Sequence, residues 1–326
     1  MTTAATLPFE GALPELRGAT AWLNSPPLTS RALRGRVVLV QFCTFSCINW
    51  LRTVPYVRAW ADKYRSAGLV VIGVHSPEFP FEHDLAKIRS ALNGLRVDHP
   101  IAVDNDFAVW RAFDNAYWPA LYVVDAAGLI RHDHFGEEDY ERSERVVQQL
   151  LREAGSDDVD DDLVAVVADG VHLAAGWDEL ESPETYVGYA RATGFSSAGG
   201  IRHDRSRVYE PPAGLTLNHW GLSGDWTVNP QIATANEPGG RIVHRFHGRD
   251  LNLVLGAPAG PLRFRVRLDG EPPGRAHGLD VDERGDGTVA EDRLYQLIRQ
   301  DGPIGDRTFE ITFVDAGARA YVFTFG

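Results

Sequence analysis

Cysteine is scarce in this sequence: 326 residues hold two, Cys43 and Cys47. Two thiols cannot build the disulfide framework that staples small exported folds, so stapling is not their task. No uninterrupted apolar run approaches the roughly 20 residues that cross a bilayer. The opening MTTAATLPFEGALPELRG lacks the basic start and apolar run of a secretory signal, which predicts a cytoplasmic location. Basic charge is short as well, with 32 Lys and Arg against 45 Asp and Glu and a net charge of −13. Phosphate backbones and anionic lipid repel such a chain, so nucleic acid and membrane surfaces are not expected partners. There is no low-complexity tract, no helical repeat, and no carboxylate pair with the spacing of a glycosidase.

The chain does have the material for well-filled cores, 44% hydrophobic residues with 10% aromatic, over a length that suggests two domains. In residues 1–155 strand and helix signals alternate. RVVLVQF (36–42) and GLVVIGVHS (68–76) are continuous apolar runs, as buried parallel strands require. A helix is expected from Cys47 to about Ala67, kinked at Pro55. FEHDLAKIRSALNGL reads as an amphipathic helix with Leu85, Ile88 and Leu92 on its apolar face. HPIAVD then gives a short strand and DFAVWRAF a short helix. ALYVVDAAGLIRHDHF reads as a hairpin turning at Ala126–Gly128, and YERSERVVQQLLREAG as a closing helix. TAWLNSPPL adds a strand or hairpin near residue 20. This order predicts a sheet with helices on both faces.

Residues 156–181 form an acidic and connecting segment that starts in GSDDVDDD and reads as a solvated linker. Over residues 182–326 short alternating runs are separated by Gly and Pro. In LRFRVRLDG the alternation is strict, with Leu262, Phe264, Val266 and Leu268 on one face and arginines on the other. A succession of such strands predicts an antiparallel, jelly-roll-like β-sandwich.

Cys47 lies where a buried strand gives way to a helix. A thiol there meets the positive end of the helix and its unpaired N–H groups, which favours the nucleophilic thiolate. The carboxyl ends of parallel strands are also where open α/β sheets place their sites. Residues 36–154, through SCIN (46–49), VDNDFAVWRAF, YWPALYVVD and HFGEEDY, resemble the thioredoxin-like redoxins related to DipZ and TlpA. The whole chain resembles the two-part DipZ-type architecture. The resemblance implies a thioredoxin fold, Cys47 as attacking cysteine and Pro119 as the cis-proline beside it. It also implies an extracytoplasmic setting for many members, against the missing export signal.

The departures from that family are specific. Cys43 stands where the family often has tryptophan, Trp50 where it has the second, resolving cysteine, and Gln41 where thioredoxin has a buried carboxylate. Resolution by a thiol three residues downstream of Cys47 is therefore impossible. In one reading Cys43 resolves instead, closing an atypical C-x-x-x-C disulfide, which needs Cα atoms within roughly 7 Å. In a second Cys47 works alone, as a one-cysteine thiol peroxidase or an antioxidant that captures low-molecular-weight thiols. In a third the scaffold is a non-catalytic binding or adaptor module, and Cys43 only fills the core. A soft metal between two thiolates would need a histidine as third ligand. No cofactor and no metal site are expected.

His75 ends the neighbouring strand, and Glu78 follows in the same loop. A histidine there could accept the Cys47 proton, or it could be an ordinary loop histidine bonded to backbone. Trp50, Trp118, Trp110 and Phe45 could wall the site or fill the core. His132 and His134 alternate on a hairpin strand, which fits a solvated face better than a ligand pair. Partners on this reading are a protein or low-molecular-weight thiol or disulfide, or a peroxide. The second domain resembles the carbohydrate-binding-module-like sandwich that ends DipZ-type chains, where Tyr209, Trp220 or Trp226 could stack on a glycan or simply pack the core.

Overall fold

The computed structural model describes residues 7–212 and 214–326, and its chain divides into two units, one ending at Leu173 and the other beginning at Ala174. In the first, β1 (Gly11–Ala12), β2 (Ala21–Leu23), β3 (Val37–Cys43), β4 (Leu69–His75), β5 (Ile101–Val103), β6 (Ala120–Val124) and β7 (Leu129–Phe135) form one sheet in the order β1-β7-β6-β3-β4-β5-β2. β3 runs parallel to β4 and antiparallel to β6. Helices α1 (Ile48–Tyr64), α2 (Leu85–Gly94), α3 (Ala108–Ala112) and α4 (Tyr140–Glu153) complete the unit. α1 and α4 pack with Val37, Leu39 and Val71, while Val109 of α3 joins Val38, Val40, Phe42 and Val74 on the opposite face. Both faces of β3 are thus covered, which is why its sequence is apolar except at Gln41. This is a thioredoxin fold.

Local chemistry explains the boundaries. α2 starts at Leu85 because the Asp84 carboxylate accepts the Ala86 and Lys87 N–H groups as an N-cap. The residues before it, Pro80–His83, form a 3₁₀ turn, so the helical signal of FEHDL begins later than its periodicity suggests. Leu85 is exposed, and the buried face of α2 is Ile88 and Leu92. α1 continues through Pro55, whose missing N–H leaves the Leu51 carbonyl without its usual helical donor. The His172 ring nitrogen lies 2.6 Å from that oxygen and fills the place. TAWL yields an edge strand, β2, paired antiparallel with β5.

The acidic stretch is strapped across α1 and α4. Both Glu144 oxygens accept the Val164 N–H, and they also accept Trp60 Nε1 at 3.0 Å and the Tyr64 hydroxyl at 2.5 Å. Gln148 Nε2 and Lys63 Nζ both donate to the Asp162 carbonyl, and Arg152 reaches the Val159 and Asp160 carbonyls. Val159 is buried while Asp160, Asp161 and Asp162 stay exposed. Glu144→Gln turns an amide N–H₂ toward these donors. It is expected to cost about 1–2 kcal/mol in urea unfolding and to open residues 156–164 to proteolysis.

In the second unit β8 (Thr185–Tyr186), β9 (Ser206–Tyr209), β10 (Trp220–Val228), β11 (Ala233–Ala235), β12 (Arg241–His247), β13 (Asp250–Gly256), β14 (Leu262–Leu268), β15 (Asp286–Val289), β16 (Arg293–Arg299), β17 (Asp306–Phe313) and β18 (Arg319–Phe325) form a curled sheet. Its order is β15-β14-β17-β12-β10-β11-β18-β13-β16, with β8 on β18 and β9 on β10. β10 pairs with β12 up to Ser223 and with β9 from Gly224 onward. Gly224, at φ +87°, makes the corner that a side chain would strain. The two layers close on one core that includes Leu222, Phe246, Leu253, Phe264, Phe309 and Phe323. The expected alternation in β14 is present, with leucine, phenylalanine and valine inward and Arg263, Arg265 and Arg267 exposed. Among the described residues no helix is long and apolar enough to cross a membrane.

Candidate functional site

Cys47 is the N-cap residue of the 17-residue helix α1, at φ −78° and ψ 117°. Its backbone N–H closes a turn onto the Thr44 carbonyl at 3.2 Å, which ends the strand and aims the helix. The first turn of α1 carries no acid, so nothing there offsets the partial positive charge at the helix start. The thiol is half-buried and donates to the Trp118 carbonyl at 3.7 Å. That carbonyl belongs to the cis peptide Trp118–Pro119. The structure therefore brings Cys47, Trp118 and Pro119 together at one end of the sheet.

Several contacts fix the Pro119 side. Trp118 Nε1 donates to the Ser76 carbonyl at 3.0 Å, and its ring lies 4.3 Å from Trp110. The Pro119 carbonyl accepts the Gly136 N–H at 2.8 Å. The residue after Gly136 is Glu137, whose carboxylate pairs with Arg52 of α1 at 2.8 Å, and both side chains are nearly inaccessible. Burial pushes the Glu137 carboxyl up, and the Arg52 charge pulls it back down. This ion pair ties the nucleophile helix to the loop behind Pro119.

The remaining expected residues lie elsewhere. Cys43 ends β3 at 1% exposure, and its thiol donates to the Val74 carbonyl of the adjacent strand at 3.4 Å. No disulfide joins it to Cys47. Burial pushes the Cys43 thiol up, and the Glu82 charge adds to that. His75 is opposite Cys43 in the parallel register, fully buried and stacked on Phe45 at 5.7 Å. Burial pulls its pKa down to about 3, which makes it a poor acceptor for the Cys47 proton. Glu78 is only partly buried and gives its backbone N–H to Glu82.

Trp50 is core. Its Nε1 donates to Gln41 Oε1 at 3.1 Å, and Gln41 Nε2 donates to Thr53 Oγ1 at 2.9 Å. Gln41 is thus a neutral strut between β3 and α1. His132 is buried and 3.2 Å from Ser143 Oγ, while His134 contacts the Glu137 carbonyl, so the pair faces different partners. Among the described residues no three His, Cys, Asp or Glu side chains converge on a metal position.

The aromatics offered for sugar stacking are buried. Trp220 and Trp226 are at 0% exposure, with their indole N–H groups on the Thr193 and Ser223 carbonyls. Tyr209 is also core, its hydroxyl accepting the Arg202 N–H. Flat aromatics between two sheets fill the sandwich, and these three have no free face for a pyranose.

Three residues escaped the sequence reading. Glu82 is fully buried and receives four hydrogen bonds, two of them from Ser46. Arg52 and Glu137 are 85 positions apart. The only prior signal was an acid in the same short loop as Glu78, and HFGEEDY with two adjacent acids after a strand.

Residues 182–326 match a family model described as a thioredoxin like C-terminal domain. Protein DipZ of Mycobacterium tuberculosis (strain CDC 1551 / Oshkosh) is 37% identical over 273 residues, 82% of this chain. The chain spans 38% of that protein's length. Thiol-disulfide oxidoreductase YkuV of Bacillus subtilis (strain 168) is 34% identical over 141 residues, 43% of this chain and 95% of that protein. A thioredoxin-like protein solved in its oxidized form is 35% identical, with a TM-score of 0.41 over 44% of this chain and 96% of that one.

Proposed function

This chain belongs to the DipZ-related family of thioredoxin-like redoxins, and from that premise we propose that its first unit carries out thiol–disulfide exchange with Cys47 as the one working sulfur. The observation that carries the reading is a half-buried Cys47 thiol at the N-cap of α1, beside the cis peptide at Pro119. The substrates are a protein or low-molecular-weight disulfide and thiol. The Cys47 thiolate attacks one sulfur of R–S–S–R′, forming Cys47–S–S–R as the old S–S bond breaks. R′–S⁻ departs and takes a proton from solvent. A second thiolate then attacks the mixed disulfide and expels Cys47–S⁻, so the protein ends neither oxidised nor reduced. Pro119 would present its backbone to the bound chain.

Cys43 has no step in this cycle. Its burial, its raised pKa and its bond to Val74 support a packing role, because a resolving thiol must be ionised and must reach Cys47.

An aromatic disulfide reagent that releases a coloured thiolate on attack tests the reading. Wild type and Cys43→Ala are expected to release one equivalent and keep a persistent adduct by mass, while Cys47→Ser releases none. Reaction in Cys47→Ser would overturn the assignment. A second equivalent with loss of the adduct in wild type, absent in Cys43→Ala, would return the resolving role to Cys43.

A further inference from the structure

The loop that delivers Cys47 is gripped from beneath by a single carboxylate. Glu82, in the 3₁₀ turn after β4, has no exposed surface. Its Oε1 accepts the Ser46 hydroxyl at 2.6 Å and the Ser46 N–H at 3.3 Å. Its Oε2 accepts the Glu78 and Phe79 N–H groups of its own turn at 2.7 and 2.9 Å. Ser46 is the residue immediately before Cys47. One end of the carboxylate holds the nucleophile loop and the other holds the turn, with Ser46 and Glu82 36 positions apart.

We propose that Glu82 is the positioning residue of the Cys47 site: its ionised carboxylate, through Ser46, holds the thiol at the start of α1. This rests on Cys47 as nucleophile and adds what keeps it in place. Three of the four partners are backbone N–H donors and the fourth is the Ser46 hydroxyl, so a carboxylate accepts all four, whereas a group with one acceptor and one donor end loses at least the Ser46 N–H bond. Burial pushes the Glu82 carboxyl up, while the Ser46 and Phe79 bonds pull it down and oppose the penalty. The ionisable groups that face it are Glu78 on the same turn and the Cys43 thiol at the end of β3. Phe45, in the same loop, stacks on His75 and meets Phe81 edge to face.

The test uses the full chain with Cys43→Ala, so that Cys47 is the sole thiol, and follows iodoacetamide alkylation against pH. Adding E82Q is expected to raise the apparent pKa of Cys47 by about one unit and to slow alkylation at pH 7 about tenfold. Removing a nearby negative charge would by itself lower that pKa, so a rise reports displacement of the sulfur from the helix start. S46A, which deletes the hydroxyl and keeps the N–H bond, should move the profile the same way by less, and S46T should restore it. S46A and S46T decide the matter if E82Q does not fold. Profiles of E82Q or S46A that match the parent, or a lowered pKa, overturn the proposal even if the variants are less stable. A parent whose Cys47 does not react sinks the exchange reading instead, and the two failures are distinct.

Discussion

Arg52→Met is expected to destabilise the first unit by about 3–5 kcal/mol, because it leaves a buried carboxylate with no counter-charge. The Arg52–Glu137 pair is 2.8 Å long with 2% and 3% of its side chains exposed, so solvent screens neither partner. Methionine supplies similar length and no charge, and Glu137 must then take up a proton or draw water inside. In a unit of this size the loss corresponds to a fall of roughly 10 °C in thermal midpoint. Arg52→Met with Glu137→Leu should recover most of it, since a matched apolar pair carries no orphaned charge. A single variant that melts within a degree or two of wild type would show that water already reaches the pair. The single variant should also slow exchange at Cys47, because the same pair anchors the loop whose Gly136 N–H holds the Pro119 carbonyl.

Acid is expected to destabilise both units as the pH falls below about 6.5, because buried histidines take up protons only on unfolding. Burial holds His75 and His244 down at about 3 and His99 at about 4, from an ordinary 6.5. Unfolding releases these imidazoles to bind protons that the folded state refuses. Stability is therefore complete above about pH 6.5 and falls as pH drops toward the folded values. At pH 5 each histidine accounts for about 2 kcal/mol, roughly 4 in the first unit and 2 in the second. Glu82, Asp104 and Glu137, whose carboxyls burial pushes up, act in the opposite sense. The histidine effect begins at about pH 6.5, where the unfolded imidazoles start to take up protons. Urea midpoints below that pH should fall steeply, and His75→Leu should flatten the slope for the first unit. A flat profile would mean that these rings find solvent or a proton partner when folded.

The sequence was most readable where one face of an element sets its chemistry. β14 alternates because one side meets the core and the other water, and α2 begins where Asp84 can cap it. It was least readable in β3 and β4, which are covered on both sides. A strand with almost no polar positions does not reveal which way Cys43 or His75 points, and so it left the exposure of both open. The same holds for Trp220 and Trp226, since an aromatic in a sandwich strand reads alike on either face. Cys47 was legible because its place depends on a local event, a strand ending and a helix beginning. Glu82 was not, since Glu78, Glu82 and Asp84 crowd one short stretch. Which of them is buried depends on Ser46, a residue far away in the chain.

The strap over α1 and α4 fixes where the first unit can be cut. Ending the chain at Gly155, where the charge run begins, would strip Glu144 of the Val164 amide and remove the imidazole that completes α1 at Leu51. Such a fragment keeps every strand of its sheet yet leaves the Glu144 carboxylate of α4 and the Leu51 carbonyl of the nucleophile helix each short of a donor. A self-sufficient fragment has to run at least through His172, so the shortest working redox piece is longer than its regular secondary structure.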